Sequence, residues 1–314
     1  MAFRAALRPV AAPDVEATCG LGCAPIGNLY TAVAEEDADA TIAAALQHGI
    51  RFFDTAPHYG AGLSERRLGR ALAGIPRDDV VIATKVGRQV VDTGGDVVGM
   101  GHVGADTVPD VSRDGVLRSL ESSLARLGTD RIDLLYLHDP PDVDEALRST
   151  IPALQGLKSE GVVRAIGVGM VWTDPLTRFV REAAIDVVME AGRLTLLDRR
   201  ADETLLPAAL EGGVGVIAAG VLNSGVLADP DSDPHFDYYP ASAPVVARAR
   251  AMRDLCRAEG IELRHAAARY PLRRDGVEAV VLGARTAAEV QDWVRGLAVP
   301  IPETLWQRLD AGGG

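Results

Sequence analysis

The sequence predicts a single α/β domain, residues 1–314, folded as a closed (β/α)8 barrel. Three observations predict it. Short Val/Ile/Leu-rich runs alternate with longer amphipathic ones along the whole chain, which implies parallel strands joined by right-handed helical crossovers. Eight such units of similar length can be read from the sequence, and eight closes a barrel. Aromatic residues make up only 4% of the chain, while Ala, Val, Leu and Gly dominate. A core of small branched side chains suits a parallel sheet buried on both faces. The competing doubly wound sheet calls for a Gly-x-Gly-x-x-Gly turn after the first strand. Gly20, Gly22 and Gly27 miss that spacing.

The elements follow in order. A first strand is expected over 18–22, and a helix over 34–48 that ends at Gly49, a favourable C-cap. Strand two covers 49–54; the helix over 65–73 has Ser64 as its N-cap. Strand three covers 80–86. After a long connection, 87–109, a helix spans 113–127 between Ser112 and Gly128. Strand four covers 132–137, followed by a helix over 144–160 that ends at Gly161. Strands five and six cover 165–169 and 187–190, with helices over 174–184 and 201–211. Strand seven covers 215–219; a second long connection, 220–240, leads to a helix over 243–259. Strand eight covers 279–282 and the last expected helix 287–296. The two long connections fall on the barrel face where active sites are built, and loops of that length serve as lids or binding loops.

The bulk chemistry excludes several function classes. A formal charge of −12 and a pI near 5.0 argue against nucleic acid or an anionic membrane as partner. Cys19, Cys23 and Cys256 are too few for a disulfide framework and are read as buried thiols. No stretch approaches the ~18 apolar residues of a membrane span, and the N-terminal segment lacks the apolar run of a secretory signal, so a cytoplasmic protein is expected.

The polar residues at the C-terminal strand ends carry the chemistry. Strand two runs into Asp54, strand three into Lys85 and strand four into His138, while Tyr59 follows Asp54 by five residues. Each alone is an ordinary surface or core residue. Together they gather on one barrel face. A phenol has a pKa near ~10 and carries protons poorly at neutral pH. A neighbouring ammonium pulls that value down, a carboxylate holds the ammonium in place, and a neutral imidazole orients a substrate oxygen. The set forms a proton relay for making or breaking an O–H bond, and it needs no metal. Arg66, Arg67 and Arg70 read as a solvated helix face.

Asp54, Tyr59, Lys85 and His138 resemble the catalytic tetrad of the aldo-keto reductases. The surrounding stretches agree in order and spacing: Phe53-Asp54-Thr55-Ala56, Tyr59-Gly60, Ser64-Glu65, Leu68-Gly69, Ala83-Thr84-Lys85-Val86-Gly87, Ser123-Leu124-Ala125-Arg126-Leu127-Gly128 and Asp133-Leu134-Leu135-Tyr136-Leu137-His138. Ala191-Gly192-Arg193-Leu194-Thr195-Leu196-Leu197-Asp198 is similar to a branch that oxidises aldoses of the L-fucose or D-threo type at C1, or pyridoxal. The resemblance implies a hydride-transferring oxidoreductase in which Tyr59 carries the proton, Lys85 tunes Tyr59, Asp54 holds Lys85 and His138 orients a sugar or aldehyde oxygen. The same groups would serve an NADPH-dependent reductase of aldehydes or ketones. A nucleotide-sensing protein on this fold would not require them.

The resemblance also implies an NAD or NADP site along strands five to eight. Gly169, Met170 and Glu190 stand where Ser-Asn and Gln are common, and Ala219 where a stacking Tyr is common. Gly220, Leu222, Asn223, Ser224 and Gly225 form a loop suited to a pyrophosphate. Gly283, Arg285 and Thr286 open the last helix, where amide N–H groups suit a phosphate. Glu289, facing a ribose, would disfavour a 2′-phosphate, which leans the reading toward NAD. His58 and Trp172 are candidate substrate contacts, with Trp172 alternatively packing its helix onto the barrel. The His235–Tyr239 cluster reads as a lid or as an anchor for its loop.

Overall fold

The structure is a computed structural model that describes residues 19–93 and 105–312. Eight parallel strands close into a barrel. They are β1 (Cys19–Gly22), β2 (Phe52–Asp54), β3 (Val81–Val86), β4 (Ile132–His138), β5 (Val163–Met170), β6 (Val187–Ala191), β7 (Gly215–Ala219) and β8 (Val277–Gly283). Each pairs with its sequence neighbours, and β1 closes the ring by pairing with both β2 and β8. The expected fold class is the observed one.

Strand pleating explains the interior. Side chains alternate faces, so residues two apart share one. Phe52, Val81, Ala83, Leu134, Tyr136, Ala165, Val187, Met189, Ile217, Ala279 and Val281 form one buried cluster that fills the barrel. Fully burying each large apolar side chain contributes about 1.5–3 kcal/mol. The opposite strand faces pack against the helices through a larger cluster. The same period places Asp54 above Phe52, Lys85 above Ala83 and His138 above Tyr136. Three polar groups therefore crown the packed interior at its C-terminal mouth.

The helices are α1 (Glu35–Gln47), α2 (Leu63–Leu72), α3 (Arg113–Leu127), α4 (Ile151–Ser159), α5 (Thr173–Glu182), α6 (Leu205–Gly212), α7 (Ala243–Ala258), α8 (Leu263–Arg269), α9 (Ala287–Ala298) and α10 (Glu303–Ala311). Ser112 caps α3 by accepting from the Gly115 amide, and Gly128 ends that helix in a left-handed conformation at φ 64°.

Several expectations are corrected. Ser64 does not cap α2; Gly62 stands there, and the Ser64 hydroxyl turns inward. Residues 144–160 are not one regular helix: a π turn, Ala146–Thr150, precedes α4. The helix expected over 201–211 begins with a 3-10 turn at Arg200–Asp202 before α6. The long connection after β3 contains an antiparallel hairpin, Arg88–Asp92 with Ala105–Pro109; its tip, 94–104, lies outside the described residues. α8 and α10 were not anticipated. They pack with α7 into a satellite cluster of Met252, Tyr270, Leu305, Trp306 and their neighbours.

Arg67 is the clearest misreading. It is 4% exposed. Its guanidinium donates to the Ile26 and Val33 carbonyls and to Glu35, which ties α2 to the loop after β1. Arg66 and Arg70 are exposed as expected. All three cysteines are buried free thiols, also as expected. Among the described residues no helix is long and apolar enough to cross a membrane.

Candidate active site

Lys85 and Asp54 form the base of the site. The Lys85 ammonium donates to both Asp54 oxygens at 2.9 and 2.8 Å and to the Thr55 carbonyl at 2.9 Å. The two side chains are 2% and 4% exposed. Burial opposes the ammonium charge, but Asp54 and Tyr59 more than offset it and hold the Lys85 pKa above its ordinary value. The pair is an ion pair with its donors directed.

Tyr59 stands over that pair, with the Lys85 ammonium 4.8 Å from its ring centroid. Its loop is locked by a close backbone approach. A Cβ on Gly60 would lie 2.4 Å from the Gly27 carbonyl oxygen, and Gly60 has φ +62°. Gly60→Ala therefore meets both a left-handed penalty of about 1–2 kcal/mol and a backbone clash that no flexible side chain relieves. We expect a lowered Tm together with lowered turnover, read by thermal melting and initial rates. Unchanged values in both would contradict the lock.

The net direction at Tyr59 corrects the sequence expectation. Burial is the largest influence and raises its pKa above 10; Lys85 pulls it down, while Asp54 and Asp139 push it up. Lys85 thus limits the rise rather than producing a net drop. Its charge is largely compensated by Asp54.

His138 presents its ring edge to Tyr59 at 6.0 Å between centroids. Burial, and then the positive Lys85, hold its pKa well below the usual imidazole value, so it is neutral at pH 7. His58 lies 5.9 Å from His138. Its Nδ1 is 2.6 Å from the Thr107 hydroxyl of the hairpin after β3. Burial and Arg88 lower its pKa to about 4. The structure thus gathers Asp54, Tyr59, Lys85, His138 and His58 at one mouth.

A buried polar frame supports them from behind. Ser64 Oγ donates to the Cys23 carbonyl at 2.7 Å and lies 2.8 Å from the Thr55 hydroxyl. Glu65, fully buried, accepts from Thr84 at 2.6 Å and from Arg126 at 2.6 Å. These contacts join β1, β2, β3, α2 and α3 directly beneath the site. The Ser64-Glu65 and Arg126 motif positions are therefore explained by the scaffold rather than by contact with a ligand.

The residues expected at a cofactor are spread along the β5–β8 side. Gly169 and Met170 are buried at the end of β5, and the Gly169 carbonyl accepts from the Asp139 amide at 3.0 Å. Glu190 is fully buried at the end of β6; its Oε1 accepts from the Arg193 amide at 2.8 Å, and its Oε2 has no partner among the described residues. Asn223 is 3% exposed. Its Nδ2 donates to the Gly192 carbonyl at 3.0 Å, and its Oδ1 has no partner among the described residues.

The loop after β7 is tightly wound. Gly220, Asn223, Ser224 and Gly225 all have positive φ. The Asn223 and Gly225 amides bond to the Gly220 and Leu222 carbonyls at 2.9 and 3.0 Å, so these two N–H groups point within the turn. The Ser224 hydroxyl accepts from the Tyr238 amide at 3.0 Å. Asp237 receives Arg193 at 2.6 Å, which ties the far end of the loop back to the end of β6.

At α9, Thr286 is the N-cap and accepts from the Glu289 amide, while Glu289 accepts from the Arg285 amide at 2.8 Å and its guanidinium at 3.0 Å. Thr286 followed three residues later by Glu289 is a capping-box pattern, although here Glu289 reaches the Arg285 amide, one residue before the cap. Gly283 is exposed. Trp172 is 55% exposed beside the mouth, so it does not pack α5 onto the barrel. Tyr30 and Tyr238 meet at 6.1 Å between ring centroids, joining the β1 and β7 loops.

Glu190 gives a pH prediction. Burial raises its pKa to about 8. An unfolded glutamate ionises near pH 4.5. Between those values the folded state holds a proton that the unfolded state releases, so stability falls as pH rises through that window. At 1.36 kcal/mol per unit the loss across that window is on the order of 5 kcal/mol. Glu190→Gln should flatten the slope. Urea unfolding between pH 5 and about 8 measures it, and parallel slopes for both proteins would contradict the assignment.

Comparison with known proteins agrees with this architecture. The model of the Aldo/keto reductase family matches residues 18–312. The chain is 42% identical to a D-threo-aldose 1-dehydrogenase of a Pseudomonas species over 92% of each chain. It is 35% identical to a pyridoxal 4-dehydrogenase of Microbacterium luteolum, over 94% of this chain and 93% of that one. Among solved structures, an aldo-keto reductase of Bacillus halodurans in its holo form superposes with a TM-score of 0.77 at 28% identity, covering 94% of this chain and 91% of that one. The barrel, the whole-length family match and these relatives lead to one conclusion: the chain belongs to the aldo/keto reductase family and is an oxidoreductase.

Proposed function

We propose that the protein is a nicotinamide-dependent aldose dehydrogenase that oxidises a sugar of the D-threo or L-fucose type at C1 to its lactone. The observation that carries the chemistry is the buried Asp54–Lys85 ion pair directly beneath Tyr59, with neutral His138 at its side. The sugar class is supported by the relative of 42% identity named as a D-threo-aldose 1-dehydrogenase.

When bound, the nicotinamide supplies hydride acceptance. The chain supplies placement and proton control. Lys85 stabilises the Tyr59 phenolate, which takes the proton of the anomeric hydroxyl and becomes the neutral phenol. Asp54 keeps Lys85 charged and aimed. His138, neutral, donates to the sugar oxygen and fixes its orientation. Because burial raises the Tyr59 pKa, oxidation should accelerate as pH rises and more of the phenol ionises. Reduction in the reverse direction uses the protonated phenol and is favoured at lower pH.

The β5–β8 side fits the cofactor. Glu190 and Asn223 each keep a buried oxygen without a partner among the described residues; that of Asn223 accepts and that of the protonated Glu190 donates, which suits a carboxamide. We favour NAD over NADP because Arg285 is already paired with Glu289. The cation that would hold a 2′-phosphate is compensated, and the carboxylate beside it would repel one.

A panel of L-fucose, D-arabinose, L-galactose and pyridoxal, each with NAD and with NADP, tests the reading through absorbance of the reduced cofactor. Saturable oxidation of one aldose is the expected result. Turnover of pyridoxal alone, or only reduction of simple aldehydes by NADPH, would replace it with those activities.

A further inference from the structure

Asp139 follows His138 immediately past the end of β4. The residue has φ +44°, a left-handed step that Asp tolerates better than most residues. Its amide is held by the Gly169 carbonyl at 3.0 Å, so the step is fixed by β5. The carboxylate lies 3.6 Å from His138 Nε2, beyond hydrogen-bond distance. Its Oδ1 is buried and accepts no hydrogen bond among the described residues. Asp139 also acts electrostatically on both Tyr59 and Tyr238, so its charge is felt at the reacting phenol and at the loop after β7.

Two buried carboxylates with structural duties have donors on both oxygens. Glu65 receives Thr84 and Arg126, and Asp198 receives the Arg200 guanidinium and the Arg200 amide. Asp139 has no such partner on Oδ1. An unpaired buried acceptor costs about 1–3 kcal/mol, more when charged, and a ligand donor at that oxygen would recover it. A carboxylate beside the reacting centre selects for a substrate that brings a hydroxyl.

We propose that Asp139 is a specificity-determining residue whose carboxylate accepts the hydroxyl on the carbon next to the reacting one. It thereby favours hydroxylated substrates over deoxy analogues. The proposal rests on the aldose reading above and adds a named contact to it. His138 orients the reacting oxygen; Asp139, one residue on, reads the neighbouring carbon.

The test compares kcat/KM for an aldose and its 2-deoxy analogue in the wild type, Asp139→Ala and Asp139→Asn. The wild type should prefer the aldose, and Asp139→Ala should reduce that preference by about tenfold or more, the usual worth of a charge-assisted hydrogen bond. Asp139→Asn keeps the shape and a neutral acceptor, so its preference should fall by less. A general disturbance of His138 would slow both substrates alike and leave the ratio unmoved. If Asp139→Ala does not fold, the Asn variant decides by the same ratio. An unchanged ratio in the folded variants overturns the Asp139 contact while leaving aldose oxidation in place. A wild type inactive on every aldose overturns the aldose reading and this proposal with it.

Discussion

Tyr59→Phe is expected to lower kcat by about 10²–10⁴-fold, the range associated with a positioned proton carrier. The substitution removes one oxygen and preserves the ring, so its contact with Lys85 and its edge contact with His138 persist. Cofactor affinity, which depends on the β5–β8 side, should stay within about twofold, less than 0.5 kcal/mol. Stopped-flow turnover with a fluorescence titration of reduced cofactor separates the two quantities. Near-normal turnover would remove Tyr59 from the proton relay. A parallel loss of cofactor affinity would point instead to a disturbed loop.

Lys85→Met is expected to damage both stability and rate. Removing one partner of a buried ion pair leaves the other uncompensated, at a cost of about 3–5 kcal/mol. Here the stranded group is Asp54, 3% exposed. It will take up a proton or lose stability, and either response weakens the support beneath Tyr59. The phenol also loses the ammonium that lowers its pKa, so the alkaline rise of the oxidation rate should move to higher pH. The double variant Asp54→Asn/Lys85→Met should recover part of the stability, since no charge remains buried, but little of the rate. Thermal melts and pH–rate profiles read these effects. An unmoved pH profile in Lys85→Met would contradict the electrostatic role assigned to Lys85.

Much of the fold was legible because one short-range rule controls it. In parallel strands buried on both faces, the β-branched and aliphatic runs mark themselves, and signals such as Ser112 and Gly128 bound a helix between them. The rule also located Asp54, Lys85 and His138, since the pleat that fills the barrel decides which strand-end residues face its mouth. What escaped depends on contacts distant in sequence. Arg67 looks like an exposed helical arginine until the loop after β1 surrounds it with carbonyls. The hairpin after β3 was hidden by Gly- and Asp-rich sequence, and the Thr107–His58 contact it makes spans 49 positions. Arg193 and Asp237 meet across 44 positions, which no local pattern reports. Asp139 differed: its place after His138 was visible, but its unpaired oxygen became evident only with its surroundings in place.

The direction of the Tyr59 shift has the same origin. A lysine near a phenol suggests a lowered pKa, and sequence shows both residues. It does not show that the lysine is shared bidentately with a buried aspartate, or that desolvation of the phenol is the larger influence. Geometry decides between effects of opposite sign.

The measurement that bears most directly on the central claim is the fate of the C1 hydrogen. An aldose deuterated at C1 is incubated with the enzyme and oxidised cofactor, and both products are analysed by mass spectrometry. The account predicts that the reduced cofactor carries the deuterium and that the sugar is recovered as the lactone without it. Reduced cofactor free of deuterium, or a sugar oxidised at another carbon, would contradict hydride transfer from C1 at this site.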